Sequence, residues 1–282
     1  MSEKIAVVTD STCDLSKETL EERDIRFLPL KIIYKDSEYK DRVNISPQEV
    51  YEKFSEEIPS TSMPGPEEIR KKYLKLKEEG YTHIISIHIS SGLSATYNTC
   101  KMVSNDIEGL TIETVDSKML SMGLGRLVLY TKDLIDAGKE NFASIVEKVY
   151  EKRDNIELYF IVETLKYLKK GGRIGKVKGT IAELLNIKPI ISIDEEGKYF
   201  TFDKVRSRKK SIKKLINITK EKINESICYV DVMHADAKEE AEQIIEKLKN
   251  VPNVKEIFLG EISPAMVVHA GPGLIGVCIT KE

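Results

Sequence analysis

The stretch THIISIHISSGLSATY, residues 82–97, decides the fold. Its first half, 82–89, is rich in β-branched residues and carries no carboxylate, lysine or arginine, which suits a strand at the centre of a sheet. Its second half is polar, with hydroxyls at 90, 91, 94 and 96 around Gly92. Ligands of open α/β sheets bind beyond the carboxyl ends of the strands, so this loop falls where a ligand would. It matches neither the G-x-S-x-G nucleophile elbow nor the P-loop pattern. Two readings stay open: an anion or carboxylate cradle, or an ordinary Ser-rich helix start.

Outward from this segment, apolar runs alternate with amphipathic helices, the pattern of parallel α/β architecture. Residues 5–9 read as a buried strand that empties into the turn and cap formers of 10–14, and Ser16 begins a helix. A second strand is expected over 27–34. Ser46, Pro47 and Glu49 combine an N-cap, a first-turn proline and a capping-box glutamate, predicting a helix through Phe54. Helices are also expected from Pro66 to Gly80, over 120–137 before Gly138, and from Asn141 to about Arg153, with a strand over 111–115.

The second half changes character. Strands are expected over 158–162, 188–193, 199–205, 227–233, 256–261 and 274–280, the second and third forming a hairpin across Glu195, Glu196 and Gly197. Helices are expected over 164–170, 209–223 and 237–250. The expected fold is therefore α/β with two domains. Residues 1–154 form a mostly parallel, Rossmann-like sheet with flanking helices, and 155–282 form an α+β domain with a mixed sheet. The boundary falls near Asp154, in a charged stretch.

Composition sets outer limits. A chain of 282 residues exceeds the usual domain size of about 100–200. Its 44 basic and 46 acidic residues give a net charge of −2, without the basic excess of a nucleic-acid binder. Charged residues make up 32% and apolar ones 41%, enough for a packed interior inside a strongly charged surface. Cys13, Cys100, Cys228 and Cys278 lie far apart, so reduced, buried thiols are expected. No apolar leader precedes the first strand. The weakly charged stretch 266–280 is shorter than the ~20 residues needed to span a bilayer. A cytoplasmic location follows as an expectation.

Three other segments could carry chemistry. Residues 60–66, STSMPGP, place hydroxyls before a helix N-terminus, where the first amides lack partners and the dipole is positive. Plain capping explains the same residues. Residues 269–273, HAGPG, set His269 beside glycines that permit close backbone approach to a ligand. Residues 169–174 are basic and glycine-hinged around Arg173, with Lys176 and Lys178 nearby. They form either a solvated loop or a dock for an acidic or phosphorylated partner. His83, His88 and His234 read as structural. His88 alternates with Ser86 on one strand face, and nothing in the sequence pairs it with a carboxylate. No paired carboxylates in an apolar setting, no metal-ligand cluster and no Ser/His/Asp order with recognisable flanks are evident.

In order, DSTCDL at 10–15, TSMP at 61–64, SSGLSATY at 90–97, LKKGGRIG at 168–175, IKPII at 187–191 and HAGPG at 269–273 resemble the DegV family of bacterial fatty-acid-binding proteins. The resemblance spans nearly the whole chain. It implies a long-chain fatty acid held in a buried tunnel between two domains, its carboxylate bonded by Thr61 and Ser94 with His269 close by. Ser62, Ser91, Gly92 and Gly271 would support these loops. It further implies that the carboxylate is presented to a separate fatty-acid kinase, which makes the acyl-phosphate for phospholipid synthesis, with Arg173 on the docking surface. No cofactor is implied. Two positions depart from the family pattern: Ala95 replaces the usual glycine and Met63 the usual glutamine, which bears on acyl-chain preference.

The resemblance accordingly points first to a lipid-binding carrier that is not itself an enzyme. The alternative is a small serine-dependent hydrolase or phosphotransferase using Ser94 and His269. A ligand-sensing interaction protein is the third class.

Overall fold

The computed structural model describes residues 3–177 and 187–282; Lys178 of the basic loop lies outside them. Strands β1 (Ile5–Asp10), β2 (Ile25–Leu28), β6 (His83–His88) and β7 (Thr111–Asp116) form a parallel sheet in the order β2-β1-β6-β7. Alternate residues of β1 face opposite ways, as strand geometry requires. Ala6 and Val8 enter a core with Ile69 and Tyr73 of the helix Pro66–Glu78, while Val7 packs into the main core. Because the chain turns to one side of β1 and then to the other, a crevice opens beyond the ends of β1 and β6.

Strands β8 (Ile156–Ile161), β9 (Ile187–Ile193), β10 (Tyr199–Arg206), β11 (Cys228–Ala235), β12 (Val254–Glu261) and β13 (Leu274–Lys281) form a mixed sheet. Its order is β10-β9-β8-β13-β11-β12, with only β11 and β12 running parallel. Ile275, Val277 and Ile279 of β13 join a core with residues of the helices Arg208–Ile223 and Lys238–Leu248. Leu274 and Cys278, on its other face, join the main core shared with the first half. Arg126 of the helix Met122–Ala137 reaches across to the buried Asp231 of β11 with contacts of 2.7, 2.9 and 3.0 Å. The α/β class with one parallel and one mixed sheet is thus the observed architecture, and the capping box at Ser46 and Glu49 is present.

Four expectations need correction. The strand expected over 27–34 is two strands: β2 ends before Pro29, which has no amide hydrogen to continue a ladder. Past it, β3 (Lys31–Ile33) pairs antiparallel with β4 (Glu38–Lys40) and β5 (Ser60–Ser62) in a small third sheet. Half of the loop STSMPGP is therefore a strand. The helix expected from residue 120 starts at Met122, because Ser121 takes a positive φ of 52° and donates its amide to Thr12 O at 2.8 Å. His269 is not in a loop; it lies in the last turn of a helix, Pro264–Ala270. The Ser263-Pro264 cap and first-turn proline were its available signal, obscured by the apolar run that follows.

Candidate functional site

The mixed sheet covers the crevice beyond β1 and β6, leaving a cavity of about 260 Å³. Its walls are mainly apolar, with Phe160, Leu158, Met233, Leu274 and Ile262 among them. Polar groups reach it from several segments: Thr12 after β1, Thr61 and Ser62 on β5, Ser94 after β6, Ser121, Arg173, and His269 on its short helix. Pairing of Thr61 with Ile32 across the small sheet gives this side chain a strand's rigidity.

His269 Nε2 lies 2.7 Å from Thr61 Oγ1, while its Nδ1 is buried without a partner. An orphan buried donor is rarer than an orphan acceptor, so we assign the ring proton to Nε2. Thr61 then accepts from the histidine and keeps its own hydroxyl proton for a ligand. Burial, and secondarily the Arg173 guanidinium, lowers the His269 pKa to about 4, so the ring is neutral near pH 7. A Cβ on Gly171 would stand 2.1 Å from His269 Nδ1, so only glycine lets the ring lie against that backbone.

Arg173 donates through Nε to Leu93 O at 3.1 Å and through Nη1 to Gly171 O at 2.7 Å. Both acceptors are neutral carbonyls, so its charge has no carboxylate partner in these bonds. It lines the cavity and also a second, surface pocket of about 600 Å³, which it shares with Thr61 and His269. Sequence reasoning separated Arg173 from the carboxylate group, whereas the fold brings them to one place. Two lysines of the basic loop are engaged too: Lys170 donates to Ile58 O at 2.9 Å and Lys176 pairs with Asp194 at 2.8 Å.

Ser94 Oγ contacts Thr96 Oγ1 at 2.8 Å and lines the cavity. The remaining supporting residues do not line it. Ser91 bonds Asp116 through its amide at 3.1 Å and its hydroxyl at 2.5 Å. Gly92 lies against the β9–β10 hairpin tip, and Gly271 turns the chain past the Tyr167 ring at φ 71°. Met63 lines the cavity and takes a contact from Thr99 Oγ1 at 2.9 Å, an apolar body with its sulfur engaged.

Two features escaped the sequence reading. His88, expected to lack a carboxylate, faces Asp10 Oδ2 from Nδ1 at 3.2 Å and Ser86 Oγ from Nε2 at 2.7 Å, all fully buried. Burial alone would depress its pKa, but neighbouring Cys100 and the contact with Asp10 push it up to about 10. Asp14 and Asp41 are likewise buried, although the sequence showed no paired carboxylates in an apolar setting. Asp14 accepts from Ser263 N at 2.9 Å and Asp41 from Ala265 N at 3.1 Å, securing the first turn of the His269 helix. Burial raises their pKa values to about 6 and about 7. Among the described residues, no cluster of His, Cys, Asp and Glu could hold a metal ion, and no helix is long and apolar enough to cross a membrane.

The two imidazoles should be distinguishable by nitrogen NMR. His88 is expected to stay doubly protonated throughout the neutral range and His269 to stay neutral. A His269 titrating near the ordinary 6.5 would contradict the desolvated site described above.

Fold and site together define an α/β protein with a mainly apolar cavity into which a few polar side chains converge. The chain belongs to the DegV family: a family model described as an uncharacterised protein of the DegV family matches residues 4–282. A DegV domain-containing protein of Clostridium acetobutylicum is 50% identical over 280 residues, covering 99% of this chain and all of the relative. The crystal structure of DegV, a fatty acid binding protein from Bacillus subtilis, superposes with a TM-score of 0.92 at 30% identity, covering 100% of both chains. A stearic acid-binding protein from Eubacterium ventriosum gives 0.89 at 26% identity, covering 99% of this chain and 98% of the neighbour.

Proposed function

We propose that this chain binds a long-chain fatty acid in the cavity and presents its carboxylate to a separate fatty-acid kinase, without catalysing a reaction itself. The observation that carries this is the sharing of Thr61, Arg173 and His269 between a mainly apolar cavity and an adjoining surface pocket. The acyl chain is hidden while the head group stays within reach of a partner. Each buried methylene contributes about 0.8 kcal/mol, so roughly fifteen contribute on the order of 12 kcal/mol before ordering costs. Thr61 and Ser94 donate hydroxyl protons to the carboxylate, neutral His269 orients Thr61, and Arg173 supplies the nearby positive charge. The division into 1–154 and 155–282, with the cavity between the two parts, belongs to the same proposal. So does action in the cytoplasm, where the free cysteines, all buried, would stay reduced.

The hydrolase alternative finds little support in the geometry. Catalytic serine needs a base hydrogen-bonded to it and a third group orienting that base. His269 bonds Thr61 instead, and its Nδ1 has no partner. The Ser86–His88–Asp10 chain has the right order, but Ser86 is fully buried against Tyr73 OH at 2.7 Å, and a protonated His88 cannot act as a base.

Native mass spectrometry after gentle purification tests the proposal. A co-purified long-chain acyl acid is the expected result. An empty protein that hydrolyses an ester would replace the carrier with an enzyme.

A further inference from the structure

Glycine inside a central strand weakens the sheet, so its presence needs a reason. Gly276 sits in β13, opposite Phe160 of β8 on one side and Met233 of β11 on the other. All three line the apolar cavity. The usual reasons for glycine are absent here. Its φ is not positive, so an L side chain could take its backbone conformation. Nor does a neighbour exclude a side chain. An added Cβ would find Phe160 Cβ at 3.4 Å, Tyr159 O at 3.7 Å and Leu274 Cδ2 at 4.0 Å, ordinary van der Waals distances. Gly92, Gly125 and Gly175 differ, since a Cβ there would stand 2.7, 2.5 and 2.6 Å from a backbone oxygen. The space above Gly276 is therefore room in the cavity rather than room taken by the protein.

We propose that Gly276 is a specificity-determining residue: the missing side chain keeps open the part of the cavity that the acyl chain occupies, and so sets how long or bulky a chain is accepted. This rests on the fatty-acid reading above and adds the residue that limits the chain. Gly276 bears no polar group and contacts no head-group residue in the strand register, so its effect falls on the chain and not on the carboxylate. A substitution should also separate stability from binding. A Cβ removes the entropic disadvantage of glycine in the strand, raising the melting temperature of the ligand-free protein, while overfilling the loaded cavity.

The test exchanges a graded series of saturated fatty acids into wild-type protein, Gly276→Ala and Gly276→Val, and reads bound masses and relative affinities. Gly276→Ala should shift the preference toward shorter chains and raise the ligand-free melting temperature. Gly276→Val should weaken the longest acid relative to the shortest retained one by roughly tenfold or more. If Gly276→Val fails to fold, the alanine variant decides the question by itself. Wild-type protein that holds acids, with variants keeping the same chain preference, would overturn the assignment of Gly276 alone. Wild-type protein that holds no acid would overturn the fatty-acid reading, and the assignment with it.

Discussion

Replacing Thr61 by valine and Ser94 by alanine together is expected to weaken long-chain fatty-acid binding by roughly a hundred-fold or more. Hydrogen bonds to a charged group contribute about 1.5–3 kcal/mol each, and about 1.4 kcal/mol corresponds to a factor of ten. Valine keeps the shape of Thr61 on β5, so the small sheet should persist and the loss should report the hydroxyl. The double variant also strands the His269 Nε2–H, because Thr61 Oγ1 is its partner at 2.7 Å. Arg173→Met should lower affinity as well, since the guanidinium lines the same cavity and its two bonds go to carbonyls. Displacement of a fluorescent fatty acid measures all three proteins. Unchanged affinity in the double variant, with circular dichroism matching wild type, would remove Thr61 and Ser94 from the carboxylate site.

The largest loss of stability is expected from Asp10→Ala. Its carboxylate faces His88 at 3.2 Å and accepts from Ile89 N at 2.9 Å, Thr12 N at 3.1 Å and Thr12 Oγ1 at 2.5 Å. Removing one partner of a buried charged pair costs about 3–5 kcal/mol because the other charge is left uncompensated. Against the ~5–15 kcal/mol by which whole proteins are stable, that is a large share, and urea unfolding should read it directly. Asp10→Asn keeps acceptors for the amides and should lose less. The pH dependence has a definite sign. His88 is raised from 6.5 to about 10, so the pair's contribution is complete below pH 6.5 and lost as pH rises through about 10. The gap between wild type and Asp10→Ala should narrow over that window. A gap that widened with pH would contradict a charged His88. Because Thr12 and Ile89 also line the cavity, the same variant should loosen the ligand's walls.

Much of the parallel sheet was legible because its signals are local. The run at 82–89 lies in one strand and at its bounds, and Ser46, Pro47 and Glu49 cap a helix within a few residues of one another. The third sheet was not legible, since its three-residue strands are too short to show an alternating pattern. The helix carrying His269 was hidden for a similar reason: it has seven residues and merges into the apolar run of β13.

For the site, residue types were readable and directions were not. Thr61, Ser94 and His269 were candidates from their loops, and the fold gathers them in one cavity. Arg173 also looked important, but its composition-level surroundings, lysines and glycines, describe an exposed loop. The fold turns its guanidinium onto the carbonyl oxygens of Leu93 and Gly171. Nothing in the sequence showed that Asp14 and Asp41 would secure the His269 helix, because the amides they accept from there, Ser263 N and Ala265 N, lie more than two hundred residues away in the chain.

By itself, then, the amino-acid sequence determined the order of the main helices and strands, the α/β class and the polar residues available for a head group. Those depend on patterns within a few turns or one strand, where backbone propensity and side-chain alternation act directly. Only the tertiary structure decided which of those groups lose water together, which carboxylates become buried acceptors, and that a glycine in β13 opens onto an apolar cavity. The physical reason is that desolvation and close packing are properties of the segments that cover a residue, and those segments are set by the fold and not by chain neighbours.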